Sequence, residues 1–365
     1  MYYWKIVVIE IIVRNKTSPF GYGYTDSQNG EFLENCTIVC ESITKIMTTK
    51  RILAYKKVFM VFVSISVSVC LIIWLLLRID YEQALKMLLS SRKEYILMAF
   101  LFISTTPFFC VIRWIGVLNS QKSIKVNYFQ ALYIVIIANI LNCFLPSKSG
   151  DVIKAAFIRQ QCGLSSGFGT VVLERLIDLF ILGMLGIYGF VVCRVFWGLC
   201  VGITLILAVL ATFAITFFFP LYIVPERVRL AATNFKNVFL NWAQNPSSIA
   251  QSFLGSIGNW LLAGLSICSL GLAINDQVNF GYLLSVYPLA IIIGLLPISI
   301  SGLGTRDAAF VFLLSTYMTR EQATLVGFGY SLLGYWYIAV FGLLILLFKF
   351  VKVFIFKRLP SRLIP

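Results

Sequence analysis

Residues 58–77, VFMVFVSISVSVCLIIWLLL, run for 20 positions without a charge. A stretch of that length and polarity matches the thickness of a bilayer's hydrocarbon core and is too long for an ordinary core helix. Comparable runs recur at about 95–117, 126–145, from near 170, 197–219, 251–273, 281–296 and 322–348. Charged residues make up 12% of the chain against 59% apolar, and the mean hydropathy is +0.90. A soluble chain carries about a quarter charged residues, so this surplus of apolar surface needs lipid as its solvent. The expected fold is all-α: an integral-membrane, polytopic helical bundle of about eight spans with two re-entrant or broken-helix segments.

Composition excludes several chemistries. Among 365 residues there is no histidine, which removes the usual general base near neutral pH and the commonest metal ligand. Serine–histidine triads and histidine-based zinc sites are therefore excluded. Of nine cysteines, most lie in or beside apolar runs, and Cys36 and Cys40 form one isolated pair with no second pair to complete a zinc site. No Walker A pattern occurs, so ATP is not the direct energy source, and no cofactor is expected. The formal charge is +15, but the basic residues are scattered between apolar runs. The anionic partner that fits is a phospholipid headgroup layer, not nucleic acid.

Three regions are expected: a polar extension at 1–46, a membrane unit at 47–352, and a basic tail at 353–365. The extension lacks the pattern of a cleaved signal, and Met47 would serve as an ordinary start. Lys50, Arg51, Lys56 and Lys57 precede the first run, and the chain carries no acid after Glu321. Basic groups at both ends favour two cytoplasmic termini and a multi-pass protein of the cell membrane, although the internal loops share their Lys and Arg almost equally. Residues 79–93 read as a short interfacial helix, and 225–250 as a second interfacial segment.

Two regions break the lipid pattern. In residues 145–179, Leu145-Pro146 ends the third run and a charged helical stretch follows from Asp151 to about Gln161, too short to cross. Glu174, Arg175 and Asp178 then open the fourth run. Glu174 and Asp178 share a helix face, and Arg175 is placed to pair with Asp178. With the turn excluded, only the 15 residues 179–193 precede Arg194, about 22 Å against a core of about 30 Å. Part of the charged turn must therefore enter the membrane, facing a polar cavity or a structural ion pair near the headgroups. In residues 296–313, Pro297, Gly302 and Gly304 interrupt an uncharged run of 29 residues (277–305) before Arg306 and Asp307. Free backbone N–H groups and Arg306 would suit a phosphate or carboxylate there; a glycine-rich loop with a snorkelling Arg–Asp pair is the alternative. The two regions also resemble each other, with Ala-Ala-Phe triplets beginning at Ala155 and Ala308. Paired broken segments point to a transporter site, in parallel or inverted copies according to the number of crossings between them.

The combination Pro146-x-x-x-Gly150-Asp151-x-x-Lys154, Glu174-Arg175-x-x-Asp178 and Gly302-x-Gly304-x-Arg306-Asp307 resembles the lysylphosphatidylglycerol synthase transmembrane family, also called the flippase-like domain family, over roughly residues 50–350. Asp replaces the usual Glu at 151 and 307, and Lys replaces Arg at 154, where the bidentate fork is lost. The resemblance implies a lipid translocator without the aminoacyl-transferase domain that some members carry, and not an enzyme. Gly150, Asp151, Lys154, Glu174, Arg175, Asp178, Gly302, Gly304, Arg306 and Asp307 become the candidate substrate-binding residues. The implied partners are a membrane phospholipid or lipid-linked substrate and a separate lipid-modifying synthase, with oligomerisation open. An accessory membrane subunit and an integral-membrane transferase are the alternative functions.

Overall fold

Within hydrocarbon every backbone N–H and C=O must find its partner inside its own segment, so each apolar run has the helix as its solution. The computed structural model describes residues 63–358 except 146–148, 224, 276 and 297. The expected extension 1–46, the first residues of the first run, Pro146, Pro297 and the end of the basic tail lie outside the described residues. Among the described residues every regular element is helical.

Helix α1 (Val63–Leu76) bends by 85° into α2 (Tyr81–Ser90). The Asp80 side chain caps α2 by accepting from the backbone N–H of Glu82 and Gln83, and α2 buries no residue, as an interfacial helix would. Then follow α3 (Lys93–Asn119), α4 (Tyr128–Phe144), α5 (Val152–Cys193), α6 (Phe196–Phe218), α7 (Glu226–Ala243), α8 (Pro246–Ile274), α9 (Phe280–Leu295), α10 (Thr305–Leu314), α11 (Arg320–Ser331) and α12 (Ile338–Arg358). A π-helical turn, Leu332–Tyr337, joins the last two.

The described part of each of the eight expected runs is helical, but among the described residues only five helices are long and apolar enough to cross, or six with the bent pair α1–α2. The difference lies in α4 and α9, with 17 and 16 residues. At 1.5 Å per residue they reach about 25 Å, short of the hydrocarbon thickness. Each stops one residue before its Leu-Pro step, so the broken segments begin where the short helices run out.

The charged stretch after Pro146 is a 3-10 turn, Ser149–Asp151, followed by a first arm of α5 at 152–162. Gly163, with φ 78° and ψ 164°, ends that arm, and the second arm runs unbroken over 164–193. It starts earlier than the expected position near 170, because Ser165, Ser166 and Thr170 continue the helix into the polar zone. Only glycine adopts the Gly163 backbone without strain, and a Cβ there would meet nothing within 4 Å. Gly163→Ala is therefore expected to cost about 1–3 kcal/mol from backbone strain alone, read as a lowered unfolding temperature in detergent.

Lipid tails are as apolar as leucine, so helix pairs in a bilayer are held by close packing, which small residues permit. On α5 and α6, Gly183 and Gly186 face Gly202 and Gly198 across the interface. On α3 and α8, Gly116 lies against Ser252 and Gly255 against the Arg113 backbone. The outer face of α6, with Ile203, Leu207, Leu210 and Phe218 exposed, is apolar and suits lipid. Helix α7 buries Val238, Phe239 and Trp242 and exposes a mixed surface that includes Val228 and Leu230.

Candidate functional site

Where α3, both arms of α5 and α8 meet, six charged side chains form one cluster. Glu174, fully buried, accepts on Oε1 from Arg113 Nε at 3.0 Å and from Lys154 Nζ at 2.9 Å, and its Oε2 lies 2.9 Å from the same Lys154 Nζ. Asp178 Oδ1 accepts from Arg113 Nη1 at 2.5 Å, Trp260 Nε1 at 2.7 Å and Ser256 Oγ at 2.9 Å. Its Oδ2 accepts from Arg175 Nη1 at 2.9 Å. Asp151 bridges the remaining cations: one oxygen pairs with Arg175 in close contact, and the other lies 3.3 Å from Lys154 Nζ. The Lys154 ammonium also sits 5.7 Å from the Trp114 ring centroid.

Three cations thus face three carboxylates, and the cluster is neutral as a whole. That balance is what allows it to exist at depth, since an unpaired buried ion costs several kcal/mol. The fork that Arg would bring to position 154 is replaced by an ammonium lying equidistant from both Glu174 oxygens. Exposure is uneven: the side chain of Arg175 is 29% exposed, whereas those of Arg113, Asp151, Lys154, Glu174 and Asp178 are at most 4% exposed.

The elbow at Gly163 makes this arrangement reachable. It folds the first arm of α5 back along the second, so Lys154 meets Glu174, 20 residues later in the chain. Gly150 lets the 3-10 turn close on α4, because a Cβ there would fall 2.7 Å from the Asn142 backbone nitrogen. Asp151 is thereby held above the second arm.

A cavity of about 80 Å³ opens beside the cluster. Arg113, Asp151, Lys154, Arg175 and Asp178 line one wall; Asn142 of α4 and Tyr335 of the π turn line another. The Asn142 Oδ1 atom is buried and has no hydrogen-bond partner among the described residues, an unmet acceptor at a cavity rich in donors. The volume fits a small polar group and not a whole phospholipid.

The second expected region is a separate network. Arg306, 1% exposed, donates from Nη2 to Ser331 Oγ at 2.7 Å and from Nη1 to the Ser301 carbonyl at 3.3 Å. Its guanidinium carbon stacks 3.9 Å from the Tyr335 ring centroid. Arg306 therefore stands behind the aromatic wall, and Tyr335 separates it from the cavity. Asp307 accepts from Gly304 N at 2.9 Å and, in close contact, from Ser331 Oγ. The start of α10, read from sequence as a phosphate or carboxylate site, is capped by the chain's own carboxylate. Gly302 and Gly304, with φ of 76° and 80°, shape the turn rather than line the cavity. Among the described residues no group of three His, Cys, Asp or Glu side chains is placed to hold a metal ion.

Of the ten candidate residues, the structure joins Asp151, Lys154, Glu174, Arg175 and Asp178 directly, with Gly150 as their hinge. It sets Arg306 behind Tyr335, with Gly302, Gly304 and Asp307 in the separate turn that carries it. Sequence reasoning missed Arg113, the cation that links Glu174 to Asp178. Its signal was present, as a lone ionisable residue inside the run 95–117, which marks a candidate functional position by default. Ser256 and Trp260 carried no such signal, being ordinary residues of an apolar helix.

The sequence matches no curated protein. Residues 61–342 match the family model of the lysylphosphatidylglycerol synthase TM region. That match covers most of the chain, the helices described here are of membrane-spanning type, and the chain belongs to the lysylphosphatidylglycerol synthase transmembrane family as a multi-pass membrane protein.

Proposed function

We propose that the protein is a lipid translocator, moving an anionic or aminoacylated phospholipid or a polyprenyl-phosphate-linked lipid across the cell membrane. The observation that carries this reading is Arg175: a cation on the cavity wall, partly open, whose present partners are the exchangeable carboxylates of Asp151 and Asp178. A headgroup phosphate offers the same acceptor geometry as a carboxylate and binds a guanidinium at least as well. It enters by taking the place of one carboxylate.

The cavity admits the headgroup alone, so the acyl chains stay in the bilayer while the polar part passes. Translocation is favoured over lipid modification because Glu174 and Asp178, the carboxylates placed to act as a base, are each held by two cations. All four of their oxygens are taken up by these contacts, which leaves none facing a substrate proton. Basic flanks at both ends support two cytoplasmic termini.

The test is leaflet exchange in proteoliposomes of headgroup-labelled phosphatidylglycerol, its lysyl ester and a polyprenyl phosphate. Wild type is expected to move one class, and Arg175→Gln to slow that movement by about tenfold or more, the loss of one charge-assisted contact. Exchange unchanged in the variant removes Arg175 from the path. No exchange of any lipid by folded wild type overturns the translocator and leaves an accessory membrane subunit.

A further inference from the structure

A second polar concavity lies away from the charged cluster. It is a groove of about 330 Å³ built from three separate pieces of chain. The loop after α3 supplies Gln121 and Ser123, the Gly163 elbow supplies Gln161 and Ser166, and α7 supplies Asn234, Asn237 and Asn241. None of its ten lining residues is charged, in a chain with a formal charge of +15.

The back of the groove is fixed by its own hydrogen bonds. Gln121 is 7% exposed; its Nε2 donates to Ser120 Oγ at 2.6 Å and to the Val238 carbonyl at 3.2 Å, and its Oε1 accepts from Asn241 Nδ2 at 3.0 Å. Gln161 Oε1 accepts from the Lys125 backbone N–H at 2.8 Å. Asn234 and Asn237, at the front, take no side-chain partner among the described residues. One wall is therefore rigid and the other offers two open amides.

The chemistry of that lining selects its ligand. A carboxamide presents a donor and an acceptor side by side. Neighbouring hydroxyls on a sugar or glycerol unit each donate and accept, so they match that pattern group for group. A phosphate offers acceptors only, leaves the amide oxygens unmet, and finds no cation in the lining. An ammonium offers donors only and finds no carboxylate. Helix α7, anchored through Val238, Phe239 and Trp242 and exposing both polar residues and the apolar Val228 and Leu230, has the amphipathic character of an element at headgroup depth.

We propose that this groove binds an uncharged polyhydroxyl lipid headgroup, of the glycosyl-diacylglycerol kind. The ligand class differs from that of the charged cavity, and the site stands whether or not the protein moves lipid.

The experiment is native mass spectrometry of the full chain, released from a polyoxyethylene detergent that carries no sugar. Glucosyl diacylglycerol, diacylglycerol and phosphatidylglycerol with identical acyl chains are the probes. The glucosyl lipid is expected to be retained about tenfold better than diacylglycerol, the worth of one or two net hydrogen bonds. That advantage disappears in Asn234→Ala/Asn237→Ala. The exposed single change Asn237→Ala keeps the test valid should the double variant misfold, and is expected to remove part of it. Equal retention of the glucosyl lipid and diacylglycerol overturns the proposal. So does phosphatidylglycerol retained as strongly as the glucosyl lipid and lost in the same variants. Leaflet exchange is not read, so this result is separable from that of the translocator test.

Discussion

Glu174→Gln is expected to lose about 3–5 kcal/mol of stability, the cost of leaving buried charge uncompensated. Glu174 is fully buried and is the partner of both Arg113 and Lys154. With its charge removed, Arg113 keeps Asp178, but Lys154 keeps only Asp151 at 3.3 Å. The cluster then carries a net positive charge on side chains that are almost wholly buried. Thermal unfolding in mild detergent, followed by size-exclusion chromatography, reads the loss. The decisive comparison is the double variant Glu174→Gln/Lys154→Met. It removes one charge of each sign and leaves the Arg113–Asp178, Arg175–Asp151 and Arg175–Asp178 pairs in place. Removing both members of a buried pair costs far less than leaving one of them uncompensated, so the double variant is expected to recover to within about 1–2 kcal/mol of wild type. Residues in one network couple rather than add. A double variant as unstable as the single, or worse, means that charge balance is not what holds the cluster.

The cluster shows what a sequence can and cannot display. Hydropathy located all eight helical runs, because apolar length is a local property. The Glu174–Asp178 turn was legible for the same reason: it stands where a span would otherwise be too short. Its pairing with Arg175 followed from helix spacing. The pairing of Lys154 with Glu174 did not, since it depends on the reversal at Gly163, and a glycine in a sequence does not state its φ. Arg113 was lost because a single Arg in a long apolar run also reads as a side chain reaching for the interface. For α10 the sequence held part of the answer. Asp307 lies three residues after Gly304 and accepts from its backbone N–H, and the Arg306 N–H bonds to the Gly302 carbonyl, so two of the N–H groups that suggested an anion site are taken within the chain. The short reach of α4 and α9 was likewise countable, and it matters because both helices end beside the two polar networks.

Gly255→Ala is expected to damage the site from outside it. The Cβ added at Gly255 would stand 2.7 Å from Arg113 Cα and 2.8 Å from its Cβ, far inside van der Waals contact. Backbone cannot rotate away as a side-chain tip can, so α3 and α8 must move apart. Overpacking of this kind costs about 1–3 kcal/mol. The functional effect is larger than the energetic one, because both helices feed the cluster: Arg113 rides on α3, while Ser256 and Trp260, which donate to Asp178, ride on α8. Separation draws Arg113 off Glu174 and loosens Asp178 at the same time. Misplacement of a polar constellation by about 1 Å can cost on the order of a hundredfold in function, so leaflet exchange should fall by at least about tenfold while the protein still folds. Gly329→Ala is the control, since its Cβ would meet Leu270 at an ordinary 3.5 Å. It should exchange lipid at the wild-type rate. If Gly255→Ala does so too, at unchanged unfolding temperature, then the close approach of α3 and α8 is not what positions Arg113.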